Sequence, residues 1–218
     1  MKSKRFYLTI VLWANLHNVG ASPSFPSSPS STAFSIDFAG QQASGDARYA
    51  AQWIAAHADN QTLPFVIVDK KNARLFVFDA KGRLRGATAV LLGAGLGDES
   101  VPGISGRALA GLLPHEQTTP AGRFESEPGH NLAGEDIVWV DYSAKVAIHR
   151  LRPDASRKRR AERLASAAAG DKRVSLGCIV VPVSFYLSVI EPMLGVQAGV
   201  IYVLPETTSV QGFFEALS

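Results

Sequence analysis

The sequence predicts a β-rich α+β fold built as one main domain, on three observations. A chain of 218 residues with 46% hydrophobic and 19% charged residues has enough apolar side chain to bury one substantial core. Most of its apolar runs are short and rich in Val, Ile and aromatics, as strands are, and only a few stretches carry helical spacing. Polar or glycine-containing turns separate the runs.

In chain order, Ala43 to Asp59 is alanine-rich, with Tyr49, Trp53 and Ala56 at spacings of four and three, and predicts a short helix with one face docked. Phe65 to Asp69, a polar Lys70-Lys71-Asn72 turn and Arg74 to Asp79 read as a β-hairpin. Ala80-Lys81-Gly82 turns into a further strand through Leu92. Asp136 to Tyr142, Lys145 to His149 and Gly199 to Leu204 are expected strands. Helices are expected over about Ala155 to Ala169, ending at Gly170, and about Ser184 to Glu191, with Ser184 as N-cap.

The start reads as an export signal over residues 1–21. Lys2, Lys4 and Arg5 precede the apolar run Phe6 to Leu16, and Val19-Gly20-Ala21 resembles a small-residue cleavage site. Residues 22–42 follow as a Ser/Pro-rich tether, and 43–218 as the folded domain. The apolar run is far short of the ~20 residues that cross a bilayer as a helix, so the expected location is the periplasm or cell envelope. A net charge of +3 is too mild to point to nucleic acid. Cys178 is the one cysteine, so no intramolecular disulfide is possible.

Two motifs fail on inspection. Gly93-Ala94-Gly95-Leu96-Gly97-Asp98 has aspartate where a dinucleotide fingerprint needs glycine, with Pro102 soon after, so Gly93 to Gly111 is read as a loop near the active face. His115-Glu116-Gln117-Thr118-Thr119 lacks the second histidine of a zinc helix, and Pro120 opposes that helix. No metal and no cofactor are expected.

Two pieces remain that carry chemistry: Ala147-Ile148-His149-Arg150, ending an apolar strand, and Val174-Ser175-Leu176-Gly177-Cys178-Ile179-Val180-Val181-Pro182. A cysteine attacks as thiolate, and an imidazole within reach takes its proton and stabilises the charge. His149 is the candidate base for Cys178, and the pairing predicts a thiol reactive well below the free-cysteine pKa of ~8.5. Gly177 permits a backbone that aims successive N–H groups at a developing oxyanion. Ser175 is either a hydrogen-bonding support or a plain turn hydroxyl.

These pieces resemble the catalytic domain of the L,D-transpeptidase (YkuD-type) family, whose signature is a strand-borne histidine followed downstream by S-H-G-C. Ser175-Leu176-Gly177-Cys178-Ile179 matches most of it. Val66 to Asp79 resembles the family's opening hairpin, Thr119-Pro120-Ala121-Gly122-Arg123-Phe124 its T-P-x-G-x-[FY] segment, and Val196 to Leu204 its closing strand. The resemblance implies a β-sandwich with a few peripheral helices, acting on peptidoglycan stem peptides. Cys178 would form a thioester with the stem, His149 would act as base then acid, and the Gly177 and Cys178 amides would hold the oxyanion. An amine of another stem, an amine of a protein, or water would then resolve the thioester. The water outcome makes a hydrolase such as an L,D-carboxypeptidase, and a binding module with decayed catalysis is a third reading.

Three positions depart from the family. Leu176 stands for the usual histidine, Val180 for the usual arginine, and Arg150 where Gly or Ser follows the base. Arg150 and Arg152 are therefore expected to bind the substrate carboxylate that Val180 cannot. The 29 residues from His149 to Cys178 include an inserted basic helix with Arg157, Lys158, Arg159, Arg160 and Arg163. That helix is either a lid over the cleft or a solvated face.

Overall fold

The computed structural model describes residues 36–217 apart from 109, 110 and 154. The expected signal segment and residues 22–35 of the expected tether lie outside the described residues. The architecture is mixed α/β, with most of the core in sheet. The described residues form ten strands, β1 (Phe65–Asp69), β2 (Arg74–Phe78), β3 (Leu84–Ala89), β4 (Leu92–Gly93), β5 (Gly122–His130), β6 (Asp136–Asp141), β7 (Val146–Arg150), β8 (Arg173–Ser175), β9 (Ile179–Val181) and β10 (Gly199–Val203). Eight form one sheet in the order β3-β2-β1-β10-β5-β6-β7-β9, and β4 pairs with β8 in a two-stranded ribbon.

Strand β5 joins two arms of that sheet. Gly122 to Ser126 pair with β10, and Glu127 to His130 pair with β6. Alternation along the strands sends Val66, Val68, Leu75, Val77, Ile201 and Val203 of one arm into the same buried cluster as Val138, Val146, Ile148, Ile179 and Val181 of the other. The opposite face of β1, β2 and β10 carries Phe65, Ile67, Phe76, Phe78 and Tyr202. It is covered by α1 (Gly45–His57) through Ala47, Ala50, Ala51 and Ile54, and by the C-terminal helix α5 (Val210–Glu215) through Val210 and Phe214. Ser44 caps α1 by accepting from the Ala47 N–H at 3.0 Å.

The packed region starts earlier than the expected domain boundary at 43. Phe38 is buried with its ring edge-on to Phe76 and Phe78, and Asp37 bridges to Arg83. One aromatic in a Ser/Pro-rich stretch suffices, because burying it offsets the ordering of its few neighbours.

Helix α2 (Arg157–Ala165) is shorter than expected, and a 3₁₀ turn (Ala169–Lys172) follows it. The second expected helix begins after Pro182 rather than at a Ser184 cap. It runs as α3 (Val183–Phe185), a π turn (Tyr186–Ile190) and α4 (Glu191–Leu194). Strand β5 was not expected, since Pro128 and Gly129 interrupt it. Pro128 is accommodated beside Val138 near the strand's end.

Candidate functional site

Strands β7 and β9 run parallel with His149 opposite Val180. By alternation Ala147, His149 and Cys178 share the face opposite to Ile148, Ile179 and Val181. His149 and Cys178 both line a cleft of about 720 Å³, together with Ala147, Trp139, Tyr142 and Arg152. Ser105 of the Gly93 to Gly111 segment also lines it.

His149 is almost fully buried, and its Nδ1 lies 2.8 Å from the Arg150 carbonyl. A carbonyl only accepts, so Nδ1 carries the proton and Nε2 keeps its lone pair. Burial holds the imidazole pKa down at about 4, with the Arg152 and Arg160 charges pushing the same way and the Arg150 carbonyl opposing. Burial likewise raises the Cys178 thiol above its ordinary value, against the Ala147 N–H and the same two arginines. Both shifts favour the uncharged forms of the two groups that line this cleft. These directions run against the expected low-pKa thiolate, because the desolvation of both groups outweighs the nearby positive charges. In this state Sγ donates to the Lys145 carbonyl at 3.6 Å.

The turn that presents Cys178 is held from within. Ser175, buried on β8, donates from Oγ to the Cys178 carbonyl at 2.6 Å and accepts from the Gly177 N–H at 3.2 Å. Ser175 thus supports the Cys178 turn through two hydrogen bonds. The Gly177 amide, expected to hold an oxyanion together with that of Cys178, is engaged by Ser175 in this structure. Gly177 adopts φ +124, and a Cβ there would lie 2.9 Å from the Thr118 carbonyl, so the position requires glycine. Thr119, fully buried, donates to the Gly177 carbonyl at 2.8 Å and accepts from the Gly93 N–H at 2.9 Å.

Behind Thr119 lies a group of charges that the sequence shows only as a polar turn and a glycine run. Lys70 is fully buried, and its Nζ donates to Gly97 O at 2.6 Å, Asp98 Oδ1 at 2.9 Å and Thr119 O at 2.9 Å. Asp98 also accepts from the Glu206 N–H at 2.8 Å, and Arg173 pairs with Glu206. Despite the cost of its burial, these donors hold the Asp98 carboxyl well below its ordinary range. Gly97 and Asp98 thus belong to a buried ionic brace behind the Cys178 turn.

No family model, curated protein or solved structure matches the chain. The site therefore rests on its own geometry.

Of the two expected carboxylate binders, the structure brings Arg152 into the cleft and leaves Arg150 out. Arg150 shares the inner face of β7 with Ile148, and its guanidinium lies 5.8 Å over the Tyr186 ring. Arg152 Nε sits 3.2 Å from Glu135 Oε2 but without hydrogen-bond geometry. Val180 is fully buried with Leu91, Leu151 and Leu164. Leu164 belongs to α2, so the inserted helix seats its apolar residue over the position where the family has arginine. A guanidinium at 180 would lose its hydration beneath that helix. Leu176 is 39% exposed at the turn. Arg157, Lys158 and Arg159 are exposed, whereas Arg160 reaches the site through its charge. His57 stacks on Trp53 at the end of α1, and His115 is exposed.

Proposed function

We propose that the chain is an exported L,D-transpeptidase-like cysteine acyltransferase that remodels peptidoglycan. One observation carries this: a buried imidazole with a free Nε2 and the chain's single thiol share one face of adjacent parallel strands, in one cleft. In the first half-reaction Sγ attacks the carbonyl before the terminal residue of a stem peptide. His149 Nε2 takes the thiol proton as the C–S bond forms and returns it to the departing amine as the C–N bond breaks. In the second, an amine attacks the thioester, loses its proton to His149, and Sγ leaves to recover it. The stabilising donor for the oxyanion is the Cys178 amide, with Gly177 able to contribute if Ser175 turns aside.

The fold is consistent with a sandwich, since the two sheet arms direct their apolar faces into one cluster. Arg152 is the residue we assign to the stem carboxylate: its Nε is buried without a hydrogen-bond partner, and guanidinium geometry suits a carboxylate bidentately. Hydrolysis is the same chemistry with water as acceptor. A decayed binding module would have no use for the support that Ser175 and Thr119 give the nucleophile turn.

The test is to incubate purified protein with tetrapeptide muropeptides and an added amine and to resolve the products by mass. An amine adduct supports transfer, and loss of the terminal residue alone supports the hydrolase. If no product and no acyl adduct on Cys178 form, the enzyme reading fails.

A further inference from the structure

The cleft that holds Cys178 and His149 is bordered by two aromatic rings. Trp139 and Tyr142 meet edge to face, with centroids 4.9 Å apart and planes at 65°. Both line the cleft, and both also line a smaller groove of about 240 Å³ on their far side, where Glu125 and Glu127 stand exposed. The two rings therefore form a ridge between two depressions.

Strand register fixes how far this ridge lies from the nucleophile. Ile148 pairs with Ile179, which sets Cys178 level with Ala147, and Ala147 pairs with Trp139. Cys178 and Trp139 thus sit two strand spacings apart, about 10 Å, in one row across the sheet. Local packing leaves the indole open. Ala147 is too short to cover it on the side of the thiol. Over β5 its pyrrole edge lies above Gly129, where a Cβ would come within 2.6 Å of Nε1, so glycine at 129 is what lets the ring lean across that strand. Tyr142 is 76% exposed.

Such a ridge suits a ring with an apolar face and a polar rim. The electron-rich face of an aromatic ring attracts weakly positive C–H groups. An apolar side chain gains most in an enclosed pocket that strips water from all of its surface, and on an open ridge it would stay half wetted. A pyranose stacks its C–H face and keeps its hydroxyls in water. Glu127, cross-strand from Trp139, adds a carboxylate that can accept from one of them.

We propose that Trp139 and Tyr142 form a stacking subsite for a pyranose ring of the glycan strand, so that the enzyme takes stems still attached to sugar in preference to free peptides. The inference rests on the acyl-transfer reading, in which Sγ attacks the third residue of a tetrapeptide stem. Three residues then separate the thioester from the sugar that bears the stem. Three extended residues span about 10 Å, which matches the separation of Cys178 from Trp139.

Two readouts on the full chain test this. N,N′-diacetylchitobiose, an N-acetylated sugar without peptide, is titrated into ¹⁵N-labelled protein while the Trp139 indole N–H signal is followed, with N-acetylphenylalanine amide titrated in parallel. A saturable shift with the sugar is expected, about tenfold weaker in Tyr142→Ala and kept in Tyr142→Phe, since the ring and not the hydroxyl carries the stacking. No saturable shift with the sugar, or equal affinity in Tyr142→Ala, overturns the subsite. Tighter binding of the phenylalanine amide than of the sugar makes the ridge a side-chain subsite and overturns the glycan assignment. The second readout is the second-order rate constant for acyl-enzyme formation at Cys178, measured by intact mass with disaccharide tetrapeptide and with free tetrapeptide. A preference of about tenfold for the sugar-bearing stem is expected in the wild type, lost in Tyr142→Ala and restored in Tyr142→Phe. Equal rates on the two stems in the wild type, or a preference retained in Tyr142→Ala, overturn the selectivity. If neither stem gives an acyl-enzyme, the acyl-transfer reading fails and the selectivity with it, while the chitobiose titration still decides the sugar subsite.

Discussion

Replacing Ser175 by Ala isolates what holds the nucleophile turn. Two bonds disappear, the donation to the Cys178 carbonyl and the acceptance from the Gly177 N–H. The orphaned buried N–H costs about 1–3 kcal/mol, and the carbonyl forfeits one bond worth about 1 kcal/mol. Removing a buried hydroxyl returns part of that, leaving a net loss of about 2 kcal/mol. For a domain of this size each kcal/mol moves Tm by roughly 2–4 °C, so calorimetry should show a fall of about 4–8 °C. The released turn should also let Cys178 reorient, so acyl-enzyme formation should slow by more than tenfold while stem binding is kept. A Tm within 1 °C of wild type and unchanged acylation would refute the reasoning, and Ser175 would be a passive turn residue.

Cys178→Ala and His149→Ala should each abolish acyl-enzyme formation, read by intact mass, with near-normal near-ultraviolet circular dichroism; turnover surviving in Cys178→Ala would sink the mechanism. Because His149 is neutral above about 4, kcat/KM should rise with pH through that value and stay level through neutrality. A limb centred near 6.5 would contradict the burial argument. Arg152→Ala should move that limb upward, since the arginine charge helps depress His149, and should raise KM for a free-carboxylate stem but not for an amidated one. The same depression links to stability. Between about 6.5 and 4 the unfolded chain binds the proton first, so stability falls as pH drops through that window, by about 3 kcal/mol in total; urea titrations of wild type and His149→Gln across it should show the slope in the former alone. Lys70→Met strands Asp98 and should cost about 3–5 kcal/mol in urea denaturation.

Strands β1, β2, β6, β7 and β10 and helix α1 were legible because their periodicity is local: alternation in Phe65 to Phe78 and in Val146 to Arg150 shows which residues can share a face. The cysteine and histidine were legible as residue types with a spacing. What escaped depends on contacts distant in sequence. Lys70 lies 28 positions from Asp98 and Thr119 lies 58 from Gly177, and no window of local pattern relates them. That Arg150 lies outside the cleft follows from parity alone, because the residue next to His149 on a strand points to the other face. The direction of the thiol's shift was not legible, because sequence shows which charges are near but not how much water is missing. Strand β5 escaped because glutamate, proline and glycine mask a strand that its neighbours on both sides hold in place.

The position of β10 between β1 and β5 has a consequence for how the chain acquires its structure. The β1–β2–β3 meander and the β5–β6–β7 meander can each form from neighbouring sequence, but β10 pairs Val200 with both Phe65 and Glu125. Those pairings close loops of more than a hundred and of about seventy-five residues, an entropic cost met before the contacts are gained. The two meanders thus wait as separate, edge-exposed sheets until the strand that lies between them, made near the end of the chain, docks in the gap. Assembly should accordingly be slow and all-or-none at that step, and removal of Gly199 onward should leave no stable half behind.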